Sequence, residues 1–126
     1  MRISRYRSEH EEAVLTAIRQ DPLWDLFTSL DAVDRYRTAL RESLTYVCHS
    51  DNEFCGYVRA VLDPGFSIYV SELFVVPKWR NKKVGQLLLE WIGDSHSGVS
   101  VYALSDEDAY YEKKGYRRIG SVFQLR

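Results

Sequence analysis

The period of the apolar positions changes along the chain, and the changes mark out the elements. Residues 2–7 (RISRYR) alternate as a short strand. Ala13, Val14, Ala17 and Ile18 then recur at helical spacing, behind Ser8 and Glu11, which have the spacing of a reciprocal capping box. Asp21-Pro22 breaks that helix, because proline removes a backbone donor and restricts its predecessor. Leu23, Trp24, Leu26, Phe27 and Leu30 cluster without a clear period. Ser29 or Asp31 opens a second helix carrying Ala32, Val33, Tyr36, Ala39 and Leu40 on one side.

From Leu44 the pattern is that of strands. LTYVCHS and EFCGYVRAVLD, rich in β-branched and aromatic residues, flank a turn at 50–53. Asp63-Pro64-Gly65 makes another turn, and FSIYVSELFVVP reads as a long strand stopped by Pro77. A basic loop, KWRNKK, leads into the apolar-faced helix VGQLLLEWIGD. GVSVYAL is a strand. Ser105 and Asp108 have capping-box spacing before a short helix, DEDAYYEKK, closed by Gly115. The last segment, YRRIGSVFQL, reads as a final strand. The predicted fold class is therefore α/β (α+β). It has a mixed central sheet, an antiparallel N-terminal meander with parallel crossover strands, and about four flanking helices.

Composition narrows the function. The 126 residues form a single expected domain spanning 1–126, with no repeat or linker. Hydrophobic residues make up 45% and charged residues 28%, which excludes intrinsic disorder. Lys plus Arg number 17 against 18 Asp plus Glu, so a chain built to grip nucleic acid or an anionic membrane is not expected. No apolar run reaches a membrane span, and the N-terminus lacks the apolar core of a signal peptide. Two cysteines are too few for a disulfide framework, which points to a cytoplasmic, reducing setting. Cys48 and Cys55 are expected opposite each other across the hairpin as reduced thiols. With His49 they make a poor tetrahedral cage, and no metal is expected. His10 and His96 read as surface residues.

The chemistry is concentrated where the long strand ends. Lys78, Arg80, Lys82 and Lys83 are four cations within six residues, just before a helix that begins near Val84. Helix N-termini present free N–H groups and partial positive charge. Gly85 lets a ligand approach the backbone. Arg80, Asn81, Lys82, Lys83, Val84, Gly85 and Gln86 are thus the candidate phosphate or pyrophosphate loop, although neither a Walker loop nor a GxGxxG fingerprint is present.

This stretch resembles the acyl-CoA-binding motif of the GNAT superfamily of N-acetyltransferases. In that family a strand ending in Val-x-Pro is followed by Gln or Arg, two residues, Gly, one residue, then Gly or Ala. Val75-x-Pro77 matches, Arg80 takes the first position and Gly85 the last; Lys83 stands where the family usually has glycine. Lys83 must therefore either adopt left-handed geometry, costing about 1 kcal/mol or more, or use an ordinary conformation and offer its ammonium to the phosphates. A second stretch, Tyr110-Tyr111-Glu112-Lys113-Lys114-Gly115-Tyr116, resembles the family's closing motif. Together the two cover about residues 44–126.

The resemblance implies acetyl transfer from acetyl-CoA to a primary amine by direct attack in a ternary complex. It implies that Tyr111 protonates the leaving thiolate, which suits a phenol at neutral pH. Tyr110 is expected to pack. Backbone N–H groups around Phe74, Val75 and Val76 are expected to bind the thioester or pantetheine amides. The family's pantetheine-contacting Asn is missing; Ser105 either replaces it or only caps the helix. Glu72, a carboxylate inside an apolar strand, is either the general base for the amine or the partner of an arginine such as Arg59. Trp24, Phe27 and Tyr36 with Asp21, Asp25, Asp31 and Asp34 either suit a cationic acceptor or are core aromatics with solvated acids. The expected partner is a small-molecule or peptide amine, with the protein a monomer or homodimer. The alternative is a non-catalytic acyl-CoA-binding or regulatory module.

Overall fold

The computed structural model describes residues 1–126. Five strands form one sheet in the order β1-β2-β3-β4-β5. They are β1 (Arg2–Arg5), β2 (Leu44–Ser50), β3 (Glu53–Asp63), β4 (Ser67–Val75) and β5 (Ser100–Ala103). The first four pair antiparallel, and β5 joins β4 in parallel. The helices are α1 (Glu11–Arg19), α2 (Asp25–Thr28), α3 (Val33–Glu42), α4 (Val84–Ser95) and α5 (Asp108–Lys113). The mixed sheet expected from the pattern is present.

Helices cover both faces of the sheet. On one, Val14, Leu15 and Ile18 of α1 and Tyr36 and Leu40 of α3 pack against Val47, Tyr57 and Phe74. On the other, Val84, Leu88 and Ile92 of α4 pack against Cys48, Val58, Ala60, Ile68 and Val70. Both sets recur at intervals of three or four residues, the spacing that aligns helical side chains. Fully buried Leu88 and Ile92 each contribute roughly 1.5–3 kcal/mol.

Two bulges shift the alternation. Arg59 faces Glu72 while Ala60 faces Val70, so Ser71 is the extra residue in β4. Ile68 and Val70 consequently face α4, and Glu72 and Phe74 face the helices of the other layer. Cys48 faces Gly56 while His49 faces Phe54, which makes Cys55 the extra residue in β3. The cysteines are therefore not opposite each other, as the simple turn predicted. Both are buried free thiols, and burial pushes the Cys48 thiol up to about 11. The turn itself is two residues, Asp51 and Asn52, both with positive φ, which matches the twist of the flanking strands.

Three local expectations are corrected. Ser8 does not cap α1: residues 8–10 form a 3-10 turn, and the Arg7 N–H donates to His10 Nδ1 at 2.9 Å. His10 thus lies inward, against the Tyr6 and His49 rings, rather than at the surface. The unclear cluster at 23–30 resolves into a 3-10 turn at Pro22–Trp24 and the single turn α2. It turns Trp24 and Phe27 onto the core and leaves Leu23, Leu26 and Leu30 exposed. The predicted final strand is not formed: residues 116–126 are exposed and belong to no ladder. Alternation alone does not make a strand, because its backbone groups need a neighbouring edge.

Gly56 and Gly93 separate packing from propensity. A Cβ at Gly56 would lie 2.5 Å from the Phe74 carbonyl oxygen, whereas nothing lies within 4 Å of one at Gly93. Gly56→Ala is expected to destabilise by about 1–3 kcal/mol, and Gly93→Ala within α4 to stabilise by roughly 0.8 kcal/mol. Urea unfolding of both variants checks the contrast, and equal effects would contradict it.

Candidate active site

The site begins where two parallel strands part. β5 pairs with β4 only from Ser67 to Val70, and the Leu104 N–H donates to the Val70 carbonyl at 2.9 Å as the last link. β4 continues to Val75, so its edge from Ser71 onward has no strand beside it. The Val76 N–H donates to the Cys55 carbonyl at 2.9 Å, and the Phe74 carbonyl is turned to Gly56. Strand alternation then aims the backbone of Leu73 and Val75 at the gap. The expectation is corrected accordingly: Phe74 and Val76 are committed to β3, and of the three residues named only Val75 faces outward. The Val75 carbonyl already accepts from Arg80 Nε at 2.9 Å.

Arg80 thereby fastens the basic loop to the strand end, with its guanidinium 5.8 Å from the centre of the Phe74 ring. Lys78 is engaged elsewhere, 2.7 Å from a Glu53 carboxylate oxygen. Trp79 Nε1 donates to the same carboxylate at 2.8 Å. The hydrogen bonds from Lys78 and Trp79 hold the Glu53 carboxyl below its usual range. The Lys82 ammonium lies 5.5 Å from the centre of the Trp79 ring.

Lys83 takes the left-handed alternative, with φ 67° and ψ 14°, and Asn81 is left-handed too at φ 63°. The lysine has thus adopted the backbone geometry a glycine would supply. It is the N-cap of α4 but provides no side-chain cap, and the first helical bond runs from the Leu87 N–H to the Lys83 carbonyl. The N–H groups of Val84, Gly85 and Gln86 precede that bond and lack intrahelical partners. The Gln86 side chain turns to Glu90, donating at 2.8 Å.

Gly85 is occupied from within the protein. A Cβ there would lie 2.7 Å from the Tyr110 hydroxyl. Tyr110 therefore packs α5 onto the start of α4. Tyr111 stands edge-on to it, with ring centres 5.0 Å apart, and 6.2 Å from the Tyr116 ring. Burial, then the neighbouring Tyr110, pushes the Tyr111 hydroxyl up to about 12. Ser105 does not cap α5, whose N-cap is Glu107. The Ser105 Oγ is instead buried without a hydrogen-bond partner, at the point where β5 leaves β4. That hydroxyl keeps its full hydrogen-bonding capacity there.

Glu72 lies on the opposite face, in a network the sequence only partly revealed. Arg59 grips both carboxylate oxygens, Nε to Oε1 and the Nη2 group to Oε2, each at 2.6 Å. The Tyr36 hydroxyl donates to Oε1 at 2.7 Å and lies 2.6 Å from the Tyr57 hydroxyl. The Glu72 side chain is only 7% exposed. Burial opposes the Arg59 charge, but the bonds and charge of Glu72 outweigh it and raise its pKa. Burial raises Tyr36 and Tyr57 too. The arginine-partner reading of Glu72 is the one this geometry realises. Tyr57 escaped the sequence reading; its signal was a tyrosine two residues before Arg59, on the same face of β3. Of the two readings of the aromatics, their contacts are those of packing. Trp24 meets Phe74 edge-on at 5.1 Å and Phe27 lies 4.5 Å from Tyr36, both half-buried against the core. Asp21 caps the 3-10 turn, and Asp34 pairs with Arg37.

The sequence model of the acetyltransferase (GNAT) domain matches residues 41–118. No curated protein matches the chain by sequence. Among solved structures, an aminoglycoside N-acetyltransferase, AAC(6')-Iy, in complex with CoA is similar at TM-score 0.73 and 16% identity, over 99% of this chain and 93% of that one. A GNAT-family acetyltransferase from Streptococcus pneumoniae gives TM-score 0.64 at 20% identity, over 99% and 98%. A transcriptional regulator from Bacillus halodurans gives 0.74 at 13%, over 99% and 98%. At these identities the likeness is one of fold. The sequence match spans well over half of the chain and includes the parted strands, the basic loop and the tyrosine helix; the chain therefore belongs to the GNAT acetyltransferase family, whose chemistry is the transfer of an acetyl group.

Proposed function

We propose that this protein transfers an acetyl group from acetyl-CoA to a primary amine, with both substrates bound together. The observation that carries the reading is the parting of β4 from β5 after Val70, with an orphan Ser105 hydroxyl at its apex and an uncapped helix start at its mouth. In this reading the N–H groups of Val84, Gly85 and Gln86 receive the pyrophosphate, and the ammonium groups of Lys82 and Lys83 add charge. Asn81 and Arg80 shape the loop, Arg80 through its bond to Val75. Ser105 and the outward backbone of Val75 hold the pantetheine arm. The coenzyme supplies an activated thioester.

Tyr111 donates its phenolic proton to the sulfur as the carbon–sulfur bond breaks and the new carbon–nitrogen bond forms. Its raised pKa keeps the donor form intact across the working range. The amine proton passes to solvent water, and Arg59 with Tyr36 fixes the Glu72 carboxylate as a positioning group on β4. The fold has no helix long and apolar enough to cross a membrane, and the buried free thiols suit a reducing compartment such as the cytoplasm.

The engagement of Glu72 by Arg59 favours a second reading, a module that binds acyl-CoA without turning it over. Calorimetric titration with acetyl-CoA followed by an amine screen distinguishes them: binding with turnover supports the transferase, binding without turnover of any amine supports the module, and no binding refutes both.

Tyr111→Phe is expected to lower kcat by about 10²–10⁴-fold while the affinity for CoA is kept. The wild-type pH–rate profile should show no alkaline limb from Tyr111 below about pH 11, because its proton is lost only near pH 12. A mutant as active as wild type removes Tyr111 from the acid role.

Glu72→Gln leaves Arg59 buried without its partner and is expected to cost about 3–5 kcal/mol of stability. Pairing it with Arg59→Met should restore most of that. Turnover that stays low in the restored double variant assigns Glu72 a part in the reaction; full recovery reduces it to a structural ion pair.

Lys83→Gly relieves a left-handed lysine and should stabilise the fold by about 1 kcal/mol, yet weaken CoA binding, most strongly at low salt. Unchanged affinity across salt concentrations would show that the ammonium does not meet the phosphates.

A further inference from the structure

The short helix that carries Tyr111 has little hold on the rest of the domain. None of the six residues of α5 is fully buried, and Tyr110 and Tyr111 are the two that are not exposed. Whatever fixes Tyr111 relative to the sheet must act through these two rings. Tyr111 touches Tyr110 edge-on at 5.0 Å and the exposed Tyr116 at 6.2 Å, so Tyr110 is its inward neighbour.

Tyr110 in turn reaches the start of α4. A Cβ at Gly85 would lie 2.7 Å from the Tyr110 hydroxyl oxygen, 3.5 Å from Tyr110 Cζ and 3.5 Å from Leu73 Cδ2. The hydroxyl thus takes the place of a side chain at Gly85, where α4 meets β4. The contact leaves the Gly85 N–H free, because that N–H points along the helix axis while a Cβ points out to the side. The phenol cannot yield freely: the Tyr111 ring stands against it, and the Lys114 ammonium lies 5.9 Å from its ring centre. Its oxygen alone is too close to admit a methyl group, since the Cζ separation is an ordinary van der Waals distance.

We infer that Tyr110 is a positioning residue for the transfer: its hydroxyl, seated in the space that Gly85 leaves open, fixes α5 against the start of α4 and so sets where Tyr111 presents its proton. Gly85 is then a glycine that admits a tyrosine of its own chain, rather than one that admits the coenzyme. One contact joins the helix start that receives the pyrophosphate to the phenol that meets the sulfur. The role of Tyr111 in this inference rests on the acetyl-transfer reading; the contact itself does not.

A double-variant cycle tests it, using acetyl-CoA and the amine of the screen that turns over fastest. Gly85→Ala should lower kcat by about 10–100-fold, as expected for displacing a reacting group by the order of 1 Å, while the affinity for acetyl-CoA in calorimetry stays within about two-fold. In the Tyr110→Phe background the same change should cost less than about three-fold, because alanine is the better helix former once the oxygen is gone. Hydrogen exchange of the α5 amides, measured without coenzyme, should run about 10-fold faster in Gly85→Ala and be unaffected by the same change in the Tyr110→Phe background. A kcat loss that Tyr110→Phe does not rescue overturns the inference. So does a Gly85→Ala variant that loses acetyl-CoA affinity and keeps kcat. A wild type that turns over no amine ends the transfer reading instead; the exchange rates then still decide whether Gly85 seats Tyr110, and equal rates in every variant would end that too.

Discussion

One extra residue in β4 sets the arrangement of the whole site. Ser71 opposes no residue of β3, so the strand changes faces there. Before it, Ile68 and Val70 face α4 and help to seal that core. After it, Glu72 and Phe74 face the α1 and α3 layer, where Phe74 joins the second core. Without the bulge, Glu72 would share a face with Ile68 and Val70, an apolar layer with no cation to meet it. With the bulge, it lies opposite Arg59 and beside Tyr36. The same residue is the first of β4 beyond the last β5 pair, so the change of face and the opening of the strands coincide.

The two sides of β4 thus carry different physics. Toward α4 and α5 lie backbone groups of an unpaired edge, an uncapped helix start and two tyrosines of high pKa. Toward α1 and α3 lies a closed polar network of Arg59, Glu72, Tyr36 and Tyr57, in which every hydroxyl and carboxylate has a partner. A buried ion pair of this kind tolerates loss of one member poorly, because the survivor keeps its charge in a poor solvent. The open side can bind and the closed side can orient. That division separates a coenzyme role for the loop from a positioning role for Glu72.

The helix starts show where local signals gave way. Ser8 with Glu11, and Ser105 with Asp108, have capping-box spacing, yet neither forms the box. Near Ser8 the chain enters through a 3-10 turn, and the His10 ring answers the Arg7 N–H instead. At Ser105 the hydroxyl is held at the end of β5 and buried before α5 begins. A capping motif offers a geometry, but the path into the helix is decided by what the preceding strand packs against. Lys83 is the converse case: its side chain is a poor fit to left-handed backbone, and the turn into α4 imposes that backbone regardless.

Periodicity determined the strands β1 to β5, the four longer helical segments and the residues they bury, because burial of alternate or three-to-four spaced side chains is written directly in the order of residues. The two motifs likewise located the basic loop, Gly85 and the tyrosine pair. The tertiary structure alone decided which side of each strand does what. Bulges at Ser71 and Cys55 reverse faces without leaving a mark in the hydrophobic pattern, so they moved Cys55 out of register with Cys48 and brought Glu72 to Arg59. Tertiary contacts also gave the approach to Gly85 to the Tyr110 hydroxyl, and they left residues 116–126 without the neighbouring edge that a strand requires. Sequence specifies which side chains prefer burial; pairing partners, and therefore the commitments of backbone and charge, depend on atoms distant in the chain.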